Sequence, residues 1–189
     1  ETLRKFGNLS SEFKLTIIFG ACLIDDIDQR SGNYLCVAEP NGTSEAIYAK
    51  IHTFSHAGED RVISSGLNPS SFDVAGNKFG ASVCYDLRFP SLYTSMSERC
   101  VGSVVIANWP DSRRTHWFAL LKARAIENQM FMIGVNRIGI DGHGIIYSKM
   151  SCIVNPYGET ELPLFSDEQL DCFEIDIEIV NQYRQSFPT

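Results

Sequence analysis

The chain has 189 residues, is 44% hydrophobic and 21% charged, and carries a formal net charge of −7 at pH 7. That length and mixture suit one soluble domain with a sizeable core, and the acidic balance argues against nucleic acid or an anionic membrane surface as the main partner. No apolar run reaches the length of a membrane span, and the opening ETLRKFGNLSSEFK is neither a signal peptide nor a transit peptide.

Leu3 to Phe13 has helical periodicity with a polar face, and LTIIFGACL follows as a strand in which Gly20 permits a close backbone approach. DDIDQRSGN reads as a turn. NYLCVAEPNGTSEAIYAK reads as two strands around Pro40-Asn41-Gly42, a strong hairpin signal, and the second strand delivers Lys50 and His52 at its end. HAGEDRVISSGLNPSS is a polar loop holding Glu59 and Gly66. SFDVAGNKFGASVCYD reads as a further hairpin turning at Gly76-Asn77 and ending at Cys84. A short helix is expected over Phe89 to Glu98, with Pro90 suited to a helix start. VGSVVIAN is a buried strand, PDSRRTHWFALLKARAIENQ has helical periodicity, and FMIGVN is the next strand. RIGIDGHGIIYSKM is a glycine-broken loop without the spacing of a phosphate-binding fingerprint. SCIVNPYGE is strand and turn, DCFEIDIEIV a strand, and NQYRQ the start of a final helix. Strands alternating with helices, with several hairpins, give an α/β layered architecture.

Six cysteines occur, Cys22, Cys36, Cys84, Cys100, Cys152 and Cys172, with no CxxC pair and no zinc-like Cys/His spacing. They read as reduced, mostly buried thiols of a cytoplasmic protein. Cys84 stands apart, because the apolar run that precedes it stops there and Tyr85, Asp86 and Arg88 follow at once. A cysteine at the carboxyl end of a strand, just before a helix, has its thiolate favoured by the helix dipole and free N–H groups. The same placement also suits a packing cysteine. Lys50, Glu59 and Cys84 are the polar residues that stand at ends of expected elements. Attack by a thiolate on an amide or nitrile carbon needs a base, an oxyanion stabiliser, an acid for the leaving nitrogen and later an activated water. A lysine offers fixed positive charge beside an oxyanion, and a carboxylate can hold that lysine. His52, His56 and His116 carry no sequence cue that places them beside Cys84, and each reads more simply as structural.

YAKIHTF, GED with SSG, VCYDLRFP, ANWPDSRRTHW, KARAIENQ, NRIG and VNPYGE, in that order from about Tyr34 to Pro188, resemble the nitrilase or carbon–nitrogen hydrolase superfamily. The ANWP and HW variants look most like the bacterial omega-amidase branch, which acts on omega-amides of 2-oxo acids such as 2-oxoglutaramate. The resemblance implies a four-layer α-β-β-α sandwich, commonly paired into homodimers, with no metal and no organic cofactor. It implies that Cys84 is the nucleophile, Lys50 the catalytic lysine, and Glu59 the second glutamate that supports the lysine and the leaving-group proton transfers. The Tyr85 N–H would join Lys50 as oxyanion donor, Asn108 and Trp109 would line the pocket, and Arg88 and Glu127 would brace the nucleophile turn. Arg113, Arg114 and Arg137 are unranked candidates for gripping a carboxylate at the far end of the substrate.

The family's general base is a glutamate in a Phe-Pro-Glu-like motif, and these 189 residues hold no such motif. The sequence is therefore read as one carbon–nitrogen hydrolase domain over residues 1–189, incomplete at its amino terminus by about a quarter of a typical family domain. The expected activity is hydrolysis of a small carboxamide to acid and ammonia through a Cys84 thioester, with this chain alone weak or inactive. The alternatives are another amidase or N-carbamoyl hydrolase of the superfamily, and a catalytically inactive binding or assembly subunit.

Overall fold

The chain builds two face-to-face β-sheets with helices on their outer sides. The structure is a computed structural model that describes residues 1–24 and 30–188. It opens with α1 (Thr2–Phe13), closed by Lys14 in the left-handed region at φ 55°. The first sheet holds β1 (Ile17–Ile24), β2 (Ser31–Ala38), β3 (Ser44–Ala49) and β4 (Ile63–Ser64). β2 is its centre, pairing antiparallel with β1 and β3 and parallel with β4. The second sheet takes β5 (Ser71–Val74), β6 (Asn77–Val83), then, after α2 (Pro90–Ser97), β7 (Gly102–Ala107), and, after α3 (Arg114–Asn128), β8 (Phe131–Asn136). A small hairpin of β9 (Gly139–Ile140) and β10 (Ile146–Tyr147) precedes β11 (Cys152–Val154), which returns to the second sheet. The spatial order is β11-β8-β7-β6-β5, with β6, β7 and β8 parallel and the two edge strands antiparallel. A second small hairpin, β12 (Phe165–Ser166) with β13 (Asp171–Cys172), and α4 (Glu178–Ser186) complete the chain.

The strand period of two sorts the apolar residues into layers. Leu35 and Val37 of β2 and Tyr48 of β3 join Phe72, Phe79, Ala81 and Val83 in the main core between the sheets. Cys36 and Ala38 of the same strand turn outward and pack with Phe19 against Leu3 and Phe6 of α1. On the other side, Trp117, Leu121 and Ala125 of α3 are fully buried with Met132. Each fully buried Leu, Val, Phe or Met among them contributes about 1.5–3 kcal/mol by leaving water. The result is the expected α-β-β-α sandwich, with α1 outside one sheet and α2 and α3 outside the other.

Several expectations shift in detail. The second hairpin turns on Ala75-Gly76, both at positive φ, and not on Gly76-Asn77, since Asn77 already begins β6. Of the expected turn over 25–33, residues 25–29 lie outside the described residues, and Ser31 to Asn33 are already strand. The loop after Lys50 contains the short parallel strand β4, and the glycine-broken loop contains the β9/β10 hairpin. The expected strand over 171–180 is ladder only at Asp171–Cys172 and becomes helix from Glu178. Its alternation is real, since Phe173, Ile175 and Ile177 pack beside Phe131, Ile153 and Val180. Alternate burial of an extended segment mimics a strand without a ladder. Of the cysteines, Cys36, Cys100 and Cys152 are buried, Cys84 is partly buried, and Cys22 and Cys172 are exposed, so burial is less general than expected.

Candidate active site

Lys50 is the residue immediately after β3. Its N–H donates to the Asn33 carbonyl of β2 at 2.8 Å, and its own carbonyl accepts the Gly66 N–H at 2.8 Å. These bonds turn the strand end inward, and Lys50 is only 3% exposed. A buried ammonium needs a partner. Glu59, at the start of a 3₁₀ turn (Glu59–Arg61), supplies it: Nζ lies 2.9 Å from Oε1 and 2.7 Å from Oε2. The Phe54 N–H donates to Oε2 at 2.6 Å, and the Asn33 side-chain amide donates to Oε1. Each oxygen therefore accepts two bonds, and the carboxylate is saturated as an acceptor.

Cys84 follows β6 and opens a 3₁₀ turn (Cys84–Arg88). Its φ is +50°, a left-handed conformation that a side chain of this kind adopts only where the surroundings impose it. The thiol faces the Asn108 carbonyl at 3.9 Å. Its pKa runs opposite to the sequence expectation. Burial pushes the thiol up, and the Lys50 charge, then the bond to Asn108, pull it back only in part. Helix α2 begins only at Pro90, six residues beyond Cys84, and burial is the largest influence on the thiol.

Both residues face one open cavity of about 880 Å³, which Glu59, Tyr85, Asn108 and Trp109 also line. Trp109 is locked in place: its N–H donates to Asn136 Oδ1 at 2.7 Å, its carbonyl accepts Asn136 Nδ2 at 3.0 Å, and its indole N–H donates to the Arg113 carbonyl at 2.9 Å. Three guanidinium groups belong to the wall. Arg88 lies over the Trp109 ring at 5.0 Å, Arg113 over Phe54 at 5.5 Å and Arg137 over Tyr147 at 4.6 Å. None of the three forms an ion pair among the described residues. Arg114, the remaining sequence candidate, does not line the cavity and stands 3.7 Å from Asp111.

The structure thus brings Cys84, Lys50, Glu59, Tyr85, Asn108 and Trp109 together. The expected brace of Arg88 and Glu127 is divided differently. Arg88 faces the cavity and pairs with His116 Nδ1 at 3.2 Å, while Arg124 donates to the Leu87 carbonyl at 3.2 Å and to Glu127 at 3.0 Å. Arg124 is the direct brace of the turn, and Glu127 acts behind it. His52 lies against Asp86, at 2.8 Å from its ring nitrogen. Sequence reasoning missed Asn33, Asp86 and Asn136. The available signal was a polar residue set inside or just beyond an apolar strand, as in GNYLCV and GVNR, and that signal does not tell which partner it serves. Among the described residues, no group of three or more His, Cys, Asp or Glu is placed to hold a metal ion, and no helix is long and apolar enough to cross a membrane.

Layers and cavity define an α-β-β-α sandwich that presents a cysteine and a lysine at strand ends and a glutamate on a short 3₁₀ turn. The carbon–nitrogen hydrolase family profile matches residues 1–185, and the chain belongs to that family. It is 36% identical over 160 residues to the omega-amidase YafV of Escherichia coli K12, covering 84% of this chain and 61% of that protein. It is 35% identical over 156 residues to the 2-oxoglutaramate amidase of Paenarthrobacter nicotinovorans, covering 79% of this chain and 53% of that one. Among solved structures, the carbon–nitrogen hydrolase superfamily protein XC1258 of Xanthomonas campestris, which carries an arsenic adduct in its active site, superposes with a TM-score of 0.89 at 28% identity, over 100% of this chain and 72% of that one. The chain thus spans between half and two thirds of the length of these two amidases.

Proposed function

We propose that the protein is a cysteine amidase that hydrolyses the terminal carboxamide of a small anionic substrate to acid and ammonia, with omega-amides of 2-oxo acids such as 2-oxoglutaramate as the substrate class. The observation that carries this reading is the shared cavity: Cys84 and the Glu59-held Lys50 face the same space, and the Lys50 charge is the strongest influence favouring the thiolate. The three wall arginines support an anionic substrate, because a cavity wall with surplus guanidinium charge favours a carboxylate. The relatives named as omega-amidase and 2-oxoglutaramate amidase support the same class.

In this mechanism a base takes the thiol proton, and Cys84 Sγ forms a bond to the amide carbon. The carbonyl oxygen becomes an oxyanion beside Lys50 and the Tyr85 N–H. The C–N bond breaks as the nitrogen gains a proton and leaves as ammonia. Water then adds to the thioester carbon, the C–S bond breaks, and the thiol regains its proton. The sum is amide plus water to acid plus ammonia. Glu59 holds and aims Lys50, and its saturated oxygens suit holding better than shuttling protons. The thiol-proton base of the resemblance is a glutamate outside the motifs matched in these residues.

The protein works in the cytoplasm in this reading, and as a homodimer. Ile126, Tyr157 and Phe187, each about half exposed, offer an apolar surface that supports pairing, and light scattering of the purified protein tests it.

Ammonia release from 2-oxoglutaramate by the protein expressed from its complete native reading frame tests the activity, with Cys84→Ala as control and an N-carbamoyl amino acid as competing substrate. Release from the amide that vanishes in Cys84→Ala is expected. Release from the carbamoyl substrate alone would move the assignment within the family. No release from either by the folded protein would favour a binding or assembly subunit.

A further inference from the structure

Asp86 is fully buried two residues beyond Cys84. Four donors converge on its carboxylate. Oδ1 accepts the His52 N–H at 2.9 Å and faces His52 Nδ1 at 2.8 Å. Oδ2 accepts the Tyr48 hydroxyl at 2.8 Å and the Val83 N–H at 2.9 Å. Tyr48 and His52 flank Lys50 in the chain, two residues to either side, while Val83 and Asp86 flank Cys84. One side chain therefore ties both ends of the lysine-bearing segment to the start of the cysteine turn. The Tyr48 hydroxyl in turn accepts the Ile51 N–H at 3.2 Å, and the His52 ring stacks on Phe89 at 3.7 Å, which closes the clamp around the turn.

The charge of Asp86 is unhelpful where it stands. It raises the thiol pKa of Cys84, as Glu59 does, in a pocket where burial already opposes the thiolate. A negative charge next to a nucleophile that has to ionise needs another reason to be there. The geometry gives one: a saturated, buried carboxylate is a rigid four-way junction. We propose that Asp86 is the positioning residue that fixes Lys50 relative to Cys84, by tying the segment on either side of the lysine to the backbone around the cysteine.

The two contributions have opposite signs, and this makes the proposal testable. Lys50 lowers the Cys84 pKa more than Asp86 raises it. Tyr93 and Tyr147 also sense the Cys84 charge, and Tyr93 senses the Asp86 charge as well, although neither is hydrogen-bonded to Asp86. The experiment is the pH dependence of iodoacetamide alkylation at Cys84, followed by peptide mass spectrometry, in the wild type, Asp86→Asn, Lys50→Met and the double variant. It needs no turnover, so it is independent of the proposed amidase activity. If Asp86 positions Lys50, Asp86→Asn moves the alkylation curve to higher pH by about half a unit or more. In the Lys50→Met background the same substitution moves it to lower pH, because only the adverse charge is then removed. His52→Ala, which keeps the Asp86 charge and the backbone N–H bond of residue 52 but removes the ring contact two residues beyond Lys50, shifts the curve upward in the Lys50 background alone, and it carries the test if Asp86→Asn does not fold. A downward shift in Asp86→Asn with Lys50 present, or an unchanged curve in His52→Ala, would overturn the proposal.

Discussion

Gly66 sits against the backbone of Ala49, so that a Cβ built on it would stand 2.2 Å from the Ala49 carbonyl oxygen and 2.9 Å from its carbonyl carbon. The obstacle is main chain, which cannot rotate aside as a side-chain tip would. The Gly66 N–H also donates to the carbonyl of Lys50, the very next residue. Gly66 is thus a spacer that lets the loop close over the lysine.

Gly66→Ala is therefore expected to push the two segments apart and to cost about 3 kcal/mol, the upper range for overpacking. Urea unfolding monitored by tryptophan fluorescence measures it. The alkylation curve of Cys84 should move upward as Lys50 withdraws. A variant as stable as the wild type would mean that the loop yields without cost.

Replacing Glu59 by Gln keeps the shape and removes the charge that a nearly buried Lys50 depends on. The amide nitrogen of Gln also cannot accept from either of the N–H donors that converge there. Breaking a buried pair from one side costs about 3 kcal/mol. The expected result is a comparable loss in urea unfolding, together with a fall of about 10²-fold in ammonia release from 2-oxoglutaramate, because a displaced lysine no longer meets the oxyanion. Loss of activity at full stability would instead give Glu59 a direct chemical role.

Much of this site could be read along the chain because its parts sit at element ends. Cys84 stops an apolar run, and Lys50 stops an alternating one. Periodicity also gave α1, α3 and the succession of core strands along the chain. The junctions were hidden. Nothing in GNYLCV says that Asn33 reaches Glu59, 26 residues away, and an aspartate in CYDLR looks like surface until four donors are seen around it. The sign of the Cys84 shift was hidden for the same reason. Its burial is set by strands and loops from across the sheet, while the helix start that suggested a low pKa is local. The misread strand over 171–180 shows the reverse limit, where a correct burial pattern lacks the partner that would make it a ladder.

Buried thiols set an alkaline limit on stability. Burial pushes Cys36 and Cys152 up to about 11 from an ordinary 9.0. The buried hydroxyls of Tyr48 and Tyr93 are raised as well. A folded-state pKa above the unfolded one means that the unfolded chain loses protons first. The stability from the two thiols is then complete below pH 9 and drains away between about 9 and 11, at ~1.4 kcal/mol per pH unit for each, while that from the two tyrosines drains away only above about pH 10. Thermal melts from pH 8 to 11 should show a falling midpoint. Cys36→Ala should reduce the slope, even though it lowers the midpoint at pH 8. A slope unchanged by that substitution would assign the alkaline loss to the tyrosines.

Arg124 and Glu127 separate a structural brace from its decoration. The Arg124 side chain is 6% exposed and that of Glu127 is 48% exposed, so water screens the pair from one side. Arg124 also donates to the Leu87 carbonyl inside the Cys84 turn and lies over the Tyr93 ring at 5.8 Å, contacts that Glu127 does not share. Arg124→Met takes from that buried carbonyl its charged donor, and about 2 kcal/mol of unfolding free energy should go with it. Glu127→Gln should cost no more than about 0.5–1 kcal/mol, as half-exposed ion pairs do. Combining the two in a double-mutant cycle should give a coupling below about 1 kcal/mol, since most of what Arg124 does is directed at Leu87 and Tyr93. Equal costs for the two single variants would show that the ion pair itself holds the turn and that the carbonyl contact is incidental.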